Sequence, residues 1–169
     1  MIVTEKNKGI QVLLNNGNGN FQKFWYHPDT SINRTFIKFV DLDKDDDLDF
    51  ILTNSTRQES FSTKIFLNNG KGEFSDSGQK LGAVIFGGIA VGDINGDNHL
   101  DIALTSLFKP NEIWLNDMEG YFYKSTFEVP NNNSIHRIYF EDIDGDHDLD
   151  IIIANFFGGA NEIWFNINN

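Results

Sequence analysis

Apolar residues along this chain fall in short runs separated by clusters of Asp, Asn and Gly. Runs at 35–40, 84–91 and 135–140 each precede an acidic segment, and runs at 50–53, 102–105 and 151–154 each follow one. Short runs rich in Ile, Val, Phe and Thr and bounded by turn residues predict strands, not helices. A third strand is expected at 64–67, 112–115 and 162–165, and a fourth opening at Phe21, Phe74 and Phe122. No stretch sustains an apolar period of about 3.6 residues, so no long helix is expected.

The pattern is an internal repeat. Three acidic windows, DLDKDDDLD (Asp41 to Asp49), DINGDNHLD (Asp93 to Asp101) and DIDGDHDLD (Asp142 to Asp150), start 52 and 49 residues apart. A second motif keeps the same beat: LLNNGNGNF from Leu13, FLNNGKGEF from Phe66, WLNDMEGYF from Trp114, and a shorter WFNINN from Trp164. Its Asn and Gly residues tolerate positive φ and suit a hairpin turn. Four antiparallel strands in a unit of about 50 residues is the beat of a β-propeller blade.

Ile2-Val3-Thr4 aligns with Ile51-Leu52-Thr53, so the chain enters at the second strand of a unit. It leaves after the third strand of the last. The expected fold is therefore all-β: a partial propeller of about four blades, two of them incomplete. It forms one segment over residues 1–169, with repeats at about 1–30, 31–82, 83–131 and 132–169. Propellers avoid open edges by closing the ring. The remaining blades are expected either in cis, as part of a longer protein, or from copies of the chain by homo-oligomerisation.

Charge sharpens the picture. The 169 residues carry 13 Lys and Arg against 25 Asp and Glu, a formal net charge of −12. Fifteen of those acids are Glu141 and the members of the three windows, and outside them the chain is slightly basic. Such a chain is a poor nucleic-acid binder, because phosphate contacts need clustered cations. A hydrophobic content of 40% with 16 Phe excludes a disordered acidic tail. No apolar run approaches the roughly 18 residues of a membrane span. The absence of cysteine excludes disulfides, thiolate metal sites and a Cys nucleophile. The N-terminal segment has none of the features of a signal peptide.

The windows share a template: Asp at position 1, Asp or Asn at 3, Asp at 5, Leu at 8 and Asp at 9. Oxygen donors at alternate positions of a tight loop suit a hard cation such as Ca²⁺, which takes six to eight oxygens. The candidate ligands are Asp41, Asp43, Asp45, Asp47 and Asp49; Asp93, Asn95, Asp97, His99 and Asp101; and Asp142, Asp144, Asp146, Asp148 and Asp150. Position 7 (Asp47, His99, Asp148) would contribute its backbone carbonyl. Up to three Ca²⁺ are expected. An EF-hand is excluded because position 12 is Leu52, Leu104 or Ile153, not Glu. An oxygen-only set disfavours Zn²⁺. Gly96 and Gly145 suit a left-handed turn at position 4, where the first loop has Lys44. The third loop, with four carboxylates and a glycine, is expected to bind tightest. Leu48, Leu100 and Leu149 are expected to anchor the loop exits in the core.

These motifs resemble the FG-GAP/VCBS-type repeats of integrin α-subunit propellers and of many bacterial surface or secreted proteins. VGDINGDNHLDIALTS is similar to the family's loop and following strand, IFGGIAVGD to its Phe-Gly start, and LLNNGNGNF and FLNNGKGEF to its hairpin. Lys44 and Asp46 in the first loop, and Asn98 and His147 in the others, stand where the family has glycine. The resemblance implies structural Ca²⁺, an extracellular, secreted or cell-surface location, and ligands held by other loops or neighbouring domains.

Function is then expected to be non-catalytic: a calcium-stabilised module that mediates adhesion by binding a protein or glycan. The alternatives are a lectin, or the non-catalytic propeller domain of a larger secreted enzyme. The four histidines form no close-spaced metal motif, and no Gly-x-Ser-x-Gly elbow or phosphate loop occurs. Trp114 and Trp164 share a repeat position with Leu13 and Phe66, which favours packing between blades. Trp25, Tyr26 and His27 are the better surface aromatics. Asn33, Asn54 and Asn132 sit in Asn-x-Ser/Thr sequons.

Overall fold

The structure is a computed structural model that describes residues 2–5, 8–29, 35–54, 62–84, 87–107, 109–127, 129, 135–155 and 158–166. Asn33 and Asn132 lie outside these, as does the Phe of the Phe-Gly start. The described residues form fourteen β-strands and no helix. They fall into two compact units, Met1–Lys80 and Leu81–Asn169.

In the first unit, β1 (Ile2–Glu5), β2 (Gly9–Asn15) and β3 (Phe21–His27) make a three-stranded antiparallel sheet. β4 (Thr35–Val40), β5 (Asp49–Asn54), β6 (Lys64–Asn68) and β7 (Phe74–Asp76) make a four-stranded one. In the second unit, β8 (Ile89–Gly92), β9 (Asp101–Leu104), β10 (Glu112–Asn116) and β11 (Phe122–Lys124) form four strands. β12 (Ile135–Glu141), β13 (Asp150–Asn155) and β14 (Glu162–Trp164) form three. Each sheet is a meander in chain order, the architecture of propeller blades. Among the described residues the expected four sheets, the first and last incomplete, are observed.

Alternation along the strands gives each sheet an apolar face, and within each unit the two sheets pack on such faces. In the first unit Ile10 of β2 meets Phe50, Leu52 and Phe66 of the second sheet, with Trp25, Ile37 and Phe74 packed around them. Phe50 and Phe66 stack with centroids 4.6 Å apart, and Trp25 meets Phe74 edge-on at 5.6 Å. In the second unit Ala90, Ala103 and Ile113 pack with Ile138, Phe140, Ile151 and Ile153. The small residues let the two sheets approach closely. A Cβ on Gly92 would lie 2.7 Å from Leu149 Cδ1, so any larger residue there would make the Leu149 side chain shift. Arg137 Nη1 donates to the Gly87 carbonyl across the same junction at 3.0 Å.

β8 starts at Ile89, later than the apolar run at 84–91 suggested. Leu81 and Val84 are buried, but outside a strand. Gly87 presses its backbone on Thr105, where a Cβ would fall 1.7 Å from the carbonyl oxygen. Gly88 donates its N–H to Thr105 Oγ1 at 2.7 Å.

Candidate metal centres in the acidic loops

The acidic windows are the loops joining β4 to β5, β8 to β9 and β12 to β13. Their local conformation follows the template. Position 4 is left-handed in all three: Lys44 (φ 60°), Gly96 (φ 75°) and Gly145 (φ 83°). Position 6 is also left-handed: Asp46 (φ 69°), Asn98 (φ 66°) and His147 (φ 76°). The four residues that stand in place of glycine therefore keep the glycine backbone. The first Asp of each loop satisfies the turn: Asp41 accepts the Asp46 N–H, Asp93 the Asp97 and Asn98 N–H groups, and Asp142 the Gly145 and His147 N–H groups.

In the first loop, one carboxylate oxygen from each of Asp41, Asp43 and Asp49 lies within 4.8 Å of the others. Asp41 Oδ1 and Asp43 Oδ1 are buried and have no hydrogen-bond partner. Buried polar atoms are normally satisfied, so two orphaned acceptors side by side fit a cation. Burial, then the Asp45 and Asp41 charges, raises the Asp43 pKa. Asp45 and Asp47 stand outside this convergence. Asp45 accepts the Asp47 N–H, and the Asp47 carboxylate reaches the hairpin at Gly70.

The third loop brings together Asp142, Asp144 and Asp146, all exposed. Asp144 is raised by desolvation and by the charges of Asp146 and Asp150. Asp148 donates its N–H to Asp146, and Asp150 is buried apart from the triad. The second loop is closed on itself. Asn95 Nδ2 donates to Asp97 Oδ2 at 2.9 Å, the His99 N–H donates to Asp97 Oδ1 at 2.8 Å, and His99 Nδ1 lies 3.0 Å from the Asp97 carbonyl. Desolvation is the largest single influence and opposes them, yet together these donors and the His99 charge hold Asp97 below the usual carboxylate value. Among the described residues, no three acidic groups converge there.

The ninth-position aspartates have a further role. Asp49, Asp101 and Asp150 are fully buried. One oxygen of each accepts the N–H of loop position 2: Leu42 at 2.9 Å, Ile94 at 3.1 Å and Ile143 at 2.9 Å. The other accepts the N–H of the asparagine at the same place in the second motif: Asn68 at 2.8 Å, Asn116 at 2.9 Å and Asn166 at 2.8 Å. Burial pushes Asp49 up to about 6 against the lowering effect of these donors, and raises Asp101 in the same way. The asparagines complete the bracket. Asn68 and Asn116 donate Nδ2 to the Leu48 and Leu100 carbonyls, and their Oδ1 atoms accept the N–H of Gly72 and Gly120. Asp49 and Asp101 thus tie their acidic loops to the hairpin, and Asp150 ties its loop to Asn166 after β14, whose Nδ2 donates instead to the Ile94 carbonyl at 3.1 Å. Sequence inspection separated the two motifs, and their equal spacing was the only signal of the bond between them.

Two sequence expectations are corrected. Leu48 is exposed, and in that loop Leu42 at position 2 is the buried anchor; Leu149 does pack on the core. Trp25 is no surface residue: it packs edge-on against Phe50, Phe66 and Phe74, with His27 stacked on it. Tyr26 is exposed. Trp114 and Trp164 are half-buried, their Nε1 atoms bonded to Glu112 and Glu162. A cavity of about 450 Å³ lies beside Trp164, Phe165 and Ile113, and no titratable side chain lines it. No helix among the described residues is long and apolar enough to cross a membrane.

Stacked meander sheets with an acidic loop between the first two strands define a propeller-type repeat protein. The FG-GAP-like repeat family matches over residues 41–104 and again over 93–153, each match running from one acidic loop into the strand after the next. The chain belongs to this family. No curated protein matches it.

Proposed function

We propose that this chain is a calcium-binding, non-catalytic repeat module whose bound Ca²⁺ stabilises the blade loops. The observation that carries this is the pair of buried, unpartnered oxygens of Asp41 and Asp43 beside Asp49. Asp41, Asp43 and Asp49 would hold the ion in the first loop, and Asp142, Asp144 and Asp146 in the third. A bound divalent cation would neutralise their mutual repulsion, about 1 kcal/mol or more per close pair even at high dielectric. Asp93, Asp97 and Asp101 with Asn95 form the weakest of the three sites, because Asp97 is already occupied by Asn95 and His99. The partly buried first loop ranks above the exposed third, reversing the order drawn from glycine and carboxylate count alone.

FG-GAP-like repeats are generally non-catalytic propeller modules and typically occur in extracellular proteins, which supports an extracellular or cell-surface adhesion role with a protein or glycan ligand. Sites of this openness fill at extracellular calcium levels. Calorimetric titration with CaCl₂ after EGTA treatment tests the proposal. Heat of binding is expected, with a rise in unfolding free energy of about 2.7 kcal/mol at a hundredfold excess over Kd. Asp43→Ala, in the first site, should remove the tighter binding phase, and Asp144→Ala, in the third, a weaker one. No heat and no thermal shift would sink the calcium assignment, and the opposite order would sink the ranking alone.

A further inference from the structure

We propose that Asn95 is a self-modifying position, at which the Gly96 backbone nitrogen displaces the side-chain amide and residue 95 becomes an acid. The chain holds four Asn-Gly pairs: Asn16-Gly17, Asn18-Gly19, Asn69-Gly70 and Asn95-Gly96. Asparagine is thermolabile, and a following glycine puts no side chain in the way of the attacking nitrogen. The reaction needs three local conditions. The glycine N–H must be unengaged. The asparagine carboxamide carbon must be turned toward it. The peptide between them must have room to close a five-membered ring.

The second acidic loop meets all three. Among the described residues the Gly96 N–H has no hydrogen-bond partner, because Asp93 takes the Asp97 and Asn98 N–H groups instead. In the third loop the equivalent Gly145 N–H is bonded to Asp142 at 2.7 Å. Asn95 Oδ1 accepts the Asp97 N–H at 3.1 Å, and Asn95 Nδ2 donates to Asp97 Oδ2 at 2.9 Å. A side-chain oxygen bonded to the N–H two residues on folds the side chain over the intervening peptide, which turns the carboxamide carbon toward the Gly96 nitrogen. Asn95 and Gly96 are exposed, and a Cβ on Gly96 would meet nothing within 4 Å. The hairpin pairs each fail on one condition. The Gly17 and Gly19 N–H groups both donate to Asn15 Oδ1 at 3.1 Å. Asn69 folds over its glycine in the same way, with Oδ1 on the Lys71 N–H, but Gly70 is wedged against Asp47, whose Oδ2 would lie 2.5 Å from a Cβ there.

The atoms balance with water as the one co-reactant. The Gly96 nitrogen gives up its proton and bonds to Asn95 Cγ, the Cγ–Nδ2 bond breaks, and the amide leaves with that proton as ammonia. Water then opens the cyclic imide. Breaking the new Cγ–N bond gives aspartate, and breaking the backbone C–N bond gives isoaspartate, with the chain running through Cβ. Both products lose the Nδ2 bond that closes the loop on Asp97. The aspartate sets a second carboxylate beside that of Asp97, and the two charges repel. The loop then carries Asp at positions 1, 3 and 5 with Gly at 4, the pattern of the third loop. This consequence rests on the calcium reading above: the aspartate product opens the weakest site, so its cation uptake rises with the age of the chain.

Incubation of the full chain in mildly alkaline buffer with EGTA, followed by proteolytic peptide mapping by mass spectrometry, tests the modification. The peptide holding Asn95 should gain the mass of an amide-to-acid exchange several-fold faster than those holding Asn16, Asn18 and Asn69. It should also become a methyl acceptor for an isoaspartyl methyltransferase. In urea the four pairs should react at similar rates, because the preference comes from the fold. Asn95→Gln should keep the circular dichroism of the wild type and lose the signal. Faster exchange at a hairpin pair, no exchange at Asn95, or a preference that persists in urea would each overturn the proposal. Calorimetry of Asn95→Asp, the aspartate product made directly, should show stronger calcium uptake than the wild type. Equal uptake would overturn the opening of the site while the mass gain at Asn95 stands, and no calcium heat from either chain is the separate failure of the calcium reading.

Discussion

Replacing Asp101 by Ala isolates the bracket from the metal. Asp101 is fully buried and accepts the Ile94 N–H at 3.1 Å and the Asn116 N–H at 2.9 Å. It sits in the loop where Asp97 is already engaged, so a bound ion is the smallest part of its role. Hydrogen bonds to a charged group contribute about 1.5–3 kcal/mol each, and an orphaned buried donor costs about 1–3 kcal/mol. Burial of the carboxylate itself, which raises its pKa, offsets part of that. The net expected loss is about 2–4 kcal/mol. Urea unfolding measured in EGTA and again in calcium reads it, and the loss should be nearly the same in both. A loss below about 1 kcal/mol in EGTA, or one that appears only with calcium, would refute the bracket and make Asp101 a ligand first.

Three further outcomes follow from single positions. Met118 holds φ at 75° and is exposed, where the other hairpins have Gly17 and Gly70; Met118→Gly should stabilise by about 0.5–1 kcal/mol, the left-handed cost less the added chain entropy, and a lower urea midpoint would contradict it. Phe66 stacks on Phe50 at full burial, so Phe66→Ala should cost about 3–5 kcal/mol by the same assay, and a loss near 1 kcal/mol would place the core elsewhere. Asp49 titrates at about 6 in the folded chain against 3.8 otherwise, so its protonation favours folding, fully below about pH 4 and not at all well above pH 6. In EGTA the protein should therefore gain on the order of 1 kcal/mol between about pH 7.5 and about pH 5, a trend calcium should weaken or invert; stability that rises with pH in EGTA would contradict this.

Most of the fold was legible because strand chemistry is local. The runs at 50–53, 102–105 and 151–154 became β5, β9 and β13, each starting one residue earlier; β5 and β13 end one residue later and β9 one residue sooner, leaving Thr105 outside the strand. The loop backbone was legible by alignment, since Gly96 and Gly145 marked the left-handed position that Lys44 also occupies. What escaped was set by contacts distant in sequence or by a shift of register. Trp25 was misplaced because the β2–β3 ladder slips between Val12 and Leu13, which leaves Phe24 unpaired. One extra residue turns every later side chain to the other face, so Trp25 joins Val12 in the core while Tyr26 stays outside. Asp49 looked like one more loop carboxylate because Asn68, whose N–H it accepts, lies 19 residues away. That bond explains why the two motifs keep one beat. A carboxylate with one oxygen on the loop entrance and the other on the hairpin makes them a single cooperative element, so a cation that tightened the loop would also hold the neighbouring turn at the same end of the sheet.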